Sequence, residues 1–154
     1  DRIKPNNNFG IKLVNYERVK PEYKNLKYKK ILSYLSKMNT SKEDIALCVK
    51  DRIFETGTSN LLFVKNNKIY SPKNKYYRGT NFKFYEKKFN IIKKDIYLKE
   101  LNQFDEILLI GSGKGVVSAS YILDSKWKRR KTKVFNSMYK TFKNEFIKSK
   151  YIYN

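Results

Sequence analysis

Apolar and polar positions along this chain show two periodicities, that of a strand in some segments and that of a helix in others. The segment IKLVNYERV, residues 11–19, predicts a strand that ends before Pro21. Residues 22–37 place Ile31 and Leu35 on one helical face and predict a helix. The start of the chain is therefore predicted to pass from a strand into a helix.

Short apolar segments in the middle of the chain predict three more strands. They lie at residues 45–49, 61–64 and 68–70. The last two are separated by Asn66-Asn67, and asparagine tolerates the positive φ angles of a tight turn. These two strands are therefore predicted to form a hairpin.

The second half of the chain predicts an alternation of helices and strands. The predicted elements are a helix at Asn81–Phe89, an extended segment at 91–98, a short helical turn at 98–104, strands at 105–110 and over VVSASYI, and a helix at 131–148. The unbroken apolar run of DEILLI, 105–110, is typical of a strand covered on both faces. Together the elements predict an α+β fold.

The composition is that of one folded domain. The chain has 154 residues, of which 40% are hydrophobic, enough to bury a core. Cys48 is the only cysteine, which excludes an intramolecular disulfide and favours a reducing compartment. No apolar run has the length of a membrane span, and no signal-peptide pattern is present. We expect a cytoplasmic protein with residues 1–10 as a linker or a remnant of truncation.

The chain has a net charge of +21 and contains no histidine. The lack of histidine excludes His-based metal sites and catalytic triads. Lysines are spread over most segments together with Asn, Ile and Tyr, which is typical of solvated faces and of AT-rich genomes. A basic nucleic-acid-binding module stays open as an alternative, with Tyr and Phe as stacking surfaces, but no nucleic-acid-binding motif supports it.

A glycine-rich loop follows the apolar strand, within LLIGSGKGVVS at residues 108–118. Open backbone N–H groups and a serine hydroxyl suit a phosphate group. A Walker loop would need glycine where Leu108 stands, and the dinucleotide fingerprint would need glycine where Val116 stands. The loop therefore suits a phosphate but neither of the two common nucleotide-binding folds.

Three further features accompany this loop. Lys24 lies where an extended segment meets a helix, and Glu55 lies among small residues before an apolar strand. Gly79-Thr80-Asn81 open a predicted helix, and a helix N-terminus binds anions. A lysine, an acid and two glycine turns suit an aldehyde-bearing cofactor with a phosphate and a ring nitrogen. The lysine would form a Schiff base and the acid would pair with the nitrogen.

In this order the segments resemble the class IV (fold type IV) pyridoxal-phosphate enzymes, which include branched-chain aminotransferases, D-amino-acid aminotransferases and 4-amino-4-deoxychorismate lyases. The matching segments are KNLK at 24–27, ETGTSNLLF at 55–63, SP at 71–72, GTNF at 79–82 and DEILLIGS at 105–112. The resemblance covers about residues 11–122. It implies a D-amino-acid aminotransferase-like α+β fold and pyridoxal 5'-phosphate (PLP) as the cofactor.

The resemblance also implies a role for each matched residue. Lys24 corresponds to the Schiff-base lysine that later moves protons at the substrate, and Glu55 to the partner of the pyridine nitrogen. The phosphate site corresponds to two turns: Gly79, Thr80 and Asn81 in the first, and Gly111, Ser112 and Gly113 in the second. Tyr28 is a candidate donor to the cofactor's phenolic oxygen, at an offset from Lys24 that differs by one from the aminotransferases. Asn60 is expected to tie its loop to neighbouring backbone.

Three positions depart from the family pattern: Phe82 replaces an arginine, Lys27 an asparagine, and Ser118 a proline. Members of the group also have an N-terminal domain of roughly a hundred residues, a normal domain size, to which nothing in this sequence corresponds. We therefore expect residues 11–154 to be a class IV C-terminal domain. The intact enzyme is expected to be a homodimer that binds a small-molecule substrate.

The resemblance leaves the reaction open. The wording ETGTSNLLF and the loop GSGKGV favour a 4-amino-4-deoxychorismate lyase, which releases pyruvate and 4-aminobenzoate for folate biosynthesis. Lys114 is then a candidate contact for a substrate carboxylate. A branched-chain or D-amino-acid aminotransferase is the alternative, because a fold and a cofactor site do not fix the reaction type. A non-catalytic fragment that keeps the fold is a further alternative.

Overall fold

The computed structural model describes residues 8–21 and 28–152. These residues fold into nine strands, three α-helices and one 3₁₀-helix, which confirms the predicted α+β class. The elements in chain order are β1 Phe9–Asn15, α1 Lys29–Leu35, β2 Glu43–Val49, β3 Arg52–Thr56, β4 Asn60–Lys65, β5 Lys68–Pro72, α2 Thr80–Lys88, β6 Ile91–Lys94, β7 Ile96–Tyr97, a 3₁₀-helix Leu98–Gln103, β8 Glu106–Gly111, β9 Gly115–Ile122 and α3 Lys133–Ile152.

The described strands form one mixed sheet in the order β6-β5-β4-β8-β9-β1-β2-β3-β7. Strand β9 joins its two halves, because it pairs antiparallel with β8 and parallel with β1. The two edge strands, β6 and β7, are separated in the chain only by Asp95. Since consecutive Cα atoms lie about 3.8 Å apart, the sheet curls until its edges adjoin. It therefore has an inner and an outer face.

Both faces of the central strands are buried against apolar side chains. In β4, Leu61 and Phe63 belong to the inner core, whereas Leu62 and Val64 pack with side chains of α2 and α3 on the outside. Strand β8 follows the same alternation, so the prediction of a strand covered on both faces is confirmed. On the other half of the sheet, Ile31 of α1 packs against β1 and β2.

The structure corrects the predicted elements at the start of the chain. Strand β1 begins at Phe9, inside the stretch 1–10 expected to be a linker, and it ends at Asn15, before the predicted end. Beyond the end of the strand, Arg18 is buried. Helix α1 covers only Lys29–Leu35, and residues 22–27 lie outside the described residues.

Strand β3 has no counterpart among the predicted elements. It is joined to β2 by a two-residue turn, Lys50-Asp51, in which both residues have positive φ, 51° and 62°. Lysine at the first position gives no turn signal, so the hairpin is hidden in the sequence. The predicted turn at Asn66-Asn67 is confirmed, with φ of 50° and 61° between β4 and β5.

The remaining elements agree with the prediction except in one region. The segment 91–98 is not one extended piece, because it divides at Asp95 into β6 and β7, which pair at opposite edges of the sheet. The predicted short helical turn is confirmed as the 3₁₀-helix, and the last predicted helix is confirmed as α3. Across the described residues, no helix is both long and apolar enough to cross a membrane.

Candidate cofactor site

A cavity of about 260 Å³ opens where the ends of β3 and β8 meet the start of α2. Most of its lining is small or polar: Arg18, Tyr28, Glu55, Gly57, Thr58, Ser59, Asn60, Tyr77, Gly79, Thr80, Asn81, Phe82, Ile110, Gly111 and Ser112. Sites for small molecules start at roughly 300 Å³. The cavity, at about 260 Å³, lies just below the lower end of that range.

Glu55 is the buried acid of this cavity and is only 3% exposed. It lies in β3, where backbone pairing with Leu47 of β2 fixes its place. Its Oε1 lies 3.3 Å from Nε of Arg18, which is itself 7% exposed. Its Oε2 accepts a hydrogen bond from the backbone N–H of Tyr77 at 3.3 Å. The carboxylate is therefore held from two sides.

Arg18 is a site residue that the sequence analysis missed. Its guanidinium donates to the carbonyl of Gly57 at 3.1 Å and lies 5.0 Å from the centre of the Tyr28 ring. Nothing in the local sequence separates it from the other basic residues of this lysine-rich chain. Only its tertiary pairing with Glu55 identifies it.

A tight polar turn at residues 56–59 connects β3 to β4 beside the cavity. The Thr56 hydroxyl donates to the Ser59 carbonyl at 3.1 Å and accepts from the Ser59 N–H at 2.7 Å. A Cβ atom on Gly57 would lie 3.1 Å from the side chains of Ile31 and Ile45. A larger residue there would require these side chains to shift, and the turn brings Thr58 and Ser59 to the cavity.

Asn60 fixes the N-terminus of α2. Its side chain donates to the Tyr77 carbonyl at 2.6 Å and accepts from the Gly79 N–H at 3.1 Å, the backbone-tying role predicted from the sequence. The first N–H groups of an α-helix have no partners inside the helix, and Thr80 and Asn81 line the cavity. The first turn of α2 contains no acidic residue, so the positive end of the helix dipole favours an anion there.

The second glycine turn faces the same cavity. Gly111 ends β8, and the Asn81 side chain donates to its carbonyl at 3.0 Å, which connects the two turns. A Cβ atom on Gly111 would lie 2.8 Å from Oγ of Ser59 and 3.1 Å from the Thr58 carbonyl oxygen. Close approach of the chain therefore requires glycine here.

The structure thus brings most of the predicted site residues together. Glu55 and Tyr28 line one cavity together with residues of both turns. The first turn contributes Gly79, Thr80 and Asn81, and the second contributes Gly111 and Ser112. Lys24 lies outside the described residues.

Two predicted residues are placed elsewhere. Gly113 is exposed, does not line the cavity, and has no atom within 4 Å of the position of an added Cβ. Lys114 is also absent from the lining, because its ammonium group pairs with Asp44 at 3.1 Å. The glycine-rich sequence of the loop alone does not show where the turn leaves the cavity, since that depends on how the β8–β9 hairpin packs.

A comparison with family models identifies the class of protein to which this fold and cavity belong. The model of the class IV amino-transferases matches residues 9–122. The chain belongs to this family, which confirms the resemblance noted from its motifs. Members of the family are PLP-dependent enzymes that bind small-molecule substrates and work as oligomers.

Solved structures share the fold. A candidate 4-amino-4-deoxychorismate lyase from Legionella pneumophila superposes with a TM-score of 0.77 at 14% identity, over 90% of this chain and 56% of that chain. The 4-amino-4-deoxychorismate lyase from Pseudomonas aeruginosa gives 0.73 at 13% identity, over 89% and 55%. A branched-chain aminotransferase from Thermoproteus uzoniensis, determined with norvaline, gives 0.73 at 14% identity, over 88% and 51%.

At these identities the likeness establishes the fold alone. The chain spans about half the length of the solved structures that it matches. No curated protein sequence matches it.

Proposed function

We propose that the cavity holds PLP and that the chain is the cofactor-binding part of a class IV PLP-dependent enzyme. The observation that supports this best is the presence, in one cavity, of the buried carboxylate of Glu55 and two glycine turns bridged by Asn81. A carboxylate suits a protonated ring nitrogen, and converging N–H groups suit a phosphate. The residues present therefore fit this cofactor.

The phosphate group would lie between α2 and the end of β8. The N–H groups of the first turn of α2 would donate to it, with further donation from the hydroxyls of Thr80 and Ser112. Gly111 lets its turn pack against the turn at 56–59, because an added Cβ atom would lie 2.8 Å from Oγ of Ser59. Asn60 and Asn81 keep the two turns at a fixed spacing.

Glu55 would pair with the ring nitrogen. Arg18 and the Tyr77 N–H already orient its carboxylate, so binding would cost little rearrangement of the side chain. When bound, PLP supplies an electron-accepting ring that stabilises negative charge on a substrate carbon. A carboxylate at the nitrogen keeps that nitrogen protonated and so preserves this capacity.

Lys24 is proposed as the lysine that binds the cofactor covalently and then moves protons at the substrate. Residues 22–27 also contain Lys27, which directly precedes Tyr28 of the cavity lining. Borohydride reduction of the PLP-treated chain, followed by peptide mapping, distinguishes the two. We expect the pyridoxyl label on Lys24 and its loss in Lys24→Ala but not in Lys27→Ala. A label on Lys27, or on scattered surface lysines, would contradict the role of Lys24.

We further propose that the reaction is that of a 4-amino-4-deoxychorismate lyase. This is supported by the loop wording of 55–63 and 111–116 and by the fold shared with two structures carrying that description. The reaction asks little of the protein beyond the cofactor site. One base removes a proton from the carbon that bears the amino group, the bond between the ring and the enolpyruvyl oxygen breaks and leaves an aromatic ring, and the released enolpyruvate takes up a proton to become pyruvate. The intact enzyme is proposed to be a homodimer.

The test supplies aminodeoxychorismate to the PLP-loaded chain and measures 4-aminobenzoate fluorescence and pyruvate. Equal amounts of both products, lost in Glu55→Ala and Lys24→Ala, are expected. A parallel assay offers branched-chain and D-amino acids with 2-oxoglutarate. Glutamate formation there, without 4-aminobenzoate, would replace the lyase by an aminotransferase and leave the PLP site intact.

A further inference from the structure

A second buried ion pair lies beside the cavity. Asp44 of β2 is 1% exposed, and the side chain of Lys114, in the turn between β8 and β9, is 9% exposed. Nζ of Lys114 lies 3.1 Å from Oδ2 of Asp44 and also donates to the Thr58 hydroxyl. That hydroxyl donates to the same Asp44 oxygen at 2.7 Å, and Oδ1 of Asp44 accepts from the Ile45 N–H at 2.7 Å. Three separate elements thus share one polar network.

This network connects two turns that line the cavity. Thr58 belongs to the turn at 56–59, and Lys114 closes the turn that begins at Gly111, where its N–H donates to the Gly111 carbonyl at 3.2 Å. The same carbonyl accepts from Asn81 of α2. The network therefore fastens the glycine turn to the 56–59 turn on one side, while Asn81 fastens it to α2 on the other.

The chemistry of the pair favours a positioning role over a contribution to stability. A buried ion pair is often no more stabilising than apolar residues of the same volume, because both charges lose their hydration. The chain has 35 basic and 14 acidic residues. Basic residues therefore outnumber their possible acidic partners, and a lysine of this chain is expected to lie in solvent. Burying one lysine against one of the scarcer acids fixes the geometry of both turns.

We propose that the Lys114–Asp44 pair, acting through Thr58, sets the spacing between the Thr58–Ser59 and Gly111–Ser112 turns and so the width of the phosphate site. This inference rests on the proposed function and extends it. It gives Lys114 a role as a positioning residue in place of the substrate contact expected from the sequence.

The test compares two ligands that differ only in the phosphate, PLP and pyridoxal. The double variant Asp44→Asn/Lys114→Met removes both charges together, so that neither is left buried alone. We expect its affinity for PLP to fall about tenfold, because a displaced turn would lose about one charge-assisted hydrogen bond to the phosphate. Its affinity for pyridoxal should be nearly unchanged. Lys94→Met is the matched control, because Lys94 pairs with Glu100 from the edge strand β6.

We call the network of Lys114, Asp44 and Thr58 the clamp, because it is proposed to hold the two turns together. Hydrogen exchange of the segment 108–118, measured without ligand, tests the clamp independently of the cofactor. Faster exchange there in the double variant but not in Lys94→Met supports the clamp. If the double variant does not fold, Asp44→Asn/Lys114→Gln, which also removes both charges together, gives the same comparison.

The possible outcomes separate this inference from the proposed function. Equal losses of PLP and pyridoxal affinity, or unchanged exchange over 108–118, would overturn the positioning role. Faster exchange in the variant, with no binding of either ligand by the wild-type chain, would leave the clamp standing and defeat the proposed function.

Discussion

Gly111 shows how closely single residues are fitted at the cavity. Replacing it by alanine would place a Cβ atom 2.8 Å from Oγ of Ser59 and 3.1 Å from a backbone oxygen. We expect Gly111→Ala to displace the turn and to weaken PLP binding about tenfold, on the order of 1.4 kcal/mol. The measurement is the PLP dissociation constant from absorbance titration. Gly113→Ala is the control, because its Cβ would meet no atom within 4 Å; equal losses in both variants would contradict the packing argument.

Glu106 is a buried acid with a different role, away from the cavity lining. It is 1% exposed, and its carboxylate accepts the backbone N–H groups of Val134 and Phe135 at the start of α3 at 3.0 and 2.9 Å. Burial raises the pKa of Glu106 above its usual value of 4.5, although the two N–H donors oppose this. The folded state therefore binds the proton more tightly than the unfolded state does.

The sign of the pH dependence follows from this direction. Glu106 contributes most to stability below its unfolded pKa, and that contribution is lost as the pH rises through the raised folded pKa. Glu106→Gln removes the titration, so the free energy of unfolding of wild type minus that of the variant should fall as the pH rises from about 4 to about 8. Urea unfolding over this range measures it. A difference that grows with pH would contradict the direction.

At the residue scale, sequence predicted the parts of the site that are local in the chain. Gly79, Thr80, Asn81 and Ser112 follow from short motifs, because glycine turns and helix starts are encoded within a few residues. Arg18 was missed, since its role depends on a partner that lies far away along the chain. Gly113 and Lys114 do not line the cavity, because the packing of the β8–β9 hairpin, and not its local sequence, decides which residues face it.

At the scale of elements, Asn60 joins the start of β4 to the start of α2. Asn60→Ala would leave the Tyr77 carbonyl and the Gly79 N–H without their side-chain partner. An unsatisfied group costs about 1–3 kcal/mol when it is fully buried, and these two are part-buried, so we expect a cost of about 1–2 kcal/mol. We expect a loss of stability in this range, measured by urea unfolding, together with weaker PLP binding. Asn60→Asp keeps the acceptor for Gly79 and should lose less. An Asp variant as impaired as the Ala variant would contradict the part given to Gly79.

Elements were predictable where periodicity and turn chemistry agree. The hairpin at Asn66-Asn67, the apolar β8 and the amphipathic α3 all satisfy this condition. Strand β3 does not satisfy this condition, because both residues of the Lys50-Asp51 turn adopt positive φ and lysine is not a typical turn residue. Glu55 lies in that strand. The sequence therefore predicted Glu55 as a site residue but did not predict the strand that holds it.

At the scale of the whole molecule, the curled sheet brings the turns together at one cavity. Its order places β6 and β7 at opposite edges although they are neighbours in the chain. Hydrophobic patterning cannot reveal this, since both strands look like parts of one extended segment. The family resemblance implied the fold, whereas the order of the strands was not predicted from the sequence.

The net charge of +21 is also a property of the whole molecule. Like charges on a compact surface repel, and salt screens them over about 10 Å at 0.1 M. The urea midpoint should therefore rise when sodium chloride is added. The variant Lys133→Glu/Lys140→Glu, with exposed positions on α3 and a charge of +21 − 4 = +17, should respond less. An equal response in both proteins would show that general repulsion is not the cause.

The central claim is that one cavity binds PLP with Glu55 at its ring nitrogen, and an absorbance titration tests it most directly. PLP is added to the purified chain and to Glu55→Gln, and the visible spectrum is recorded to saturation. We predict a saturable Schiff-base band in the wild-type chain and a weaker, shifted band in the variant, because a neutral amide does not hold the ring nitrogen protonated. No saturable band in the wild-type chain, or identical titrations in the two proteins, would contradict the claim.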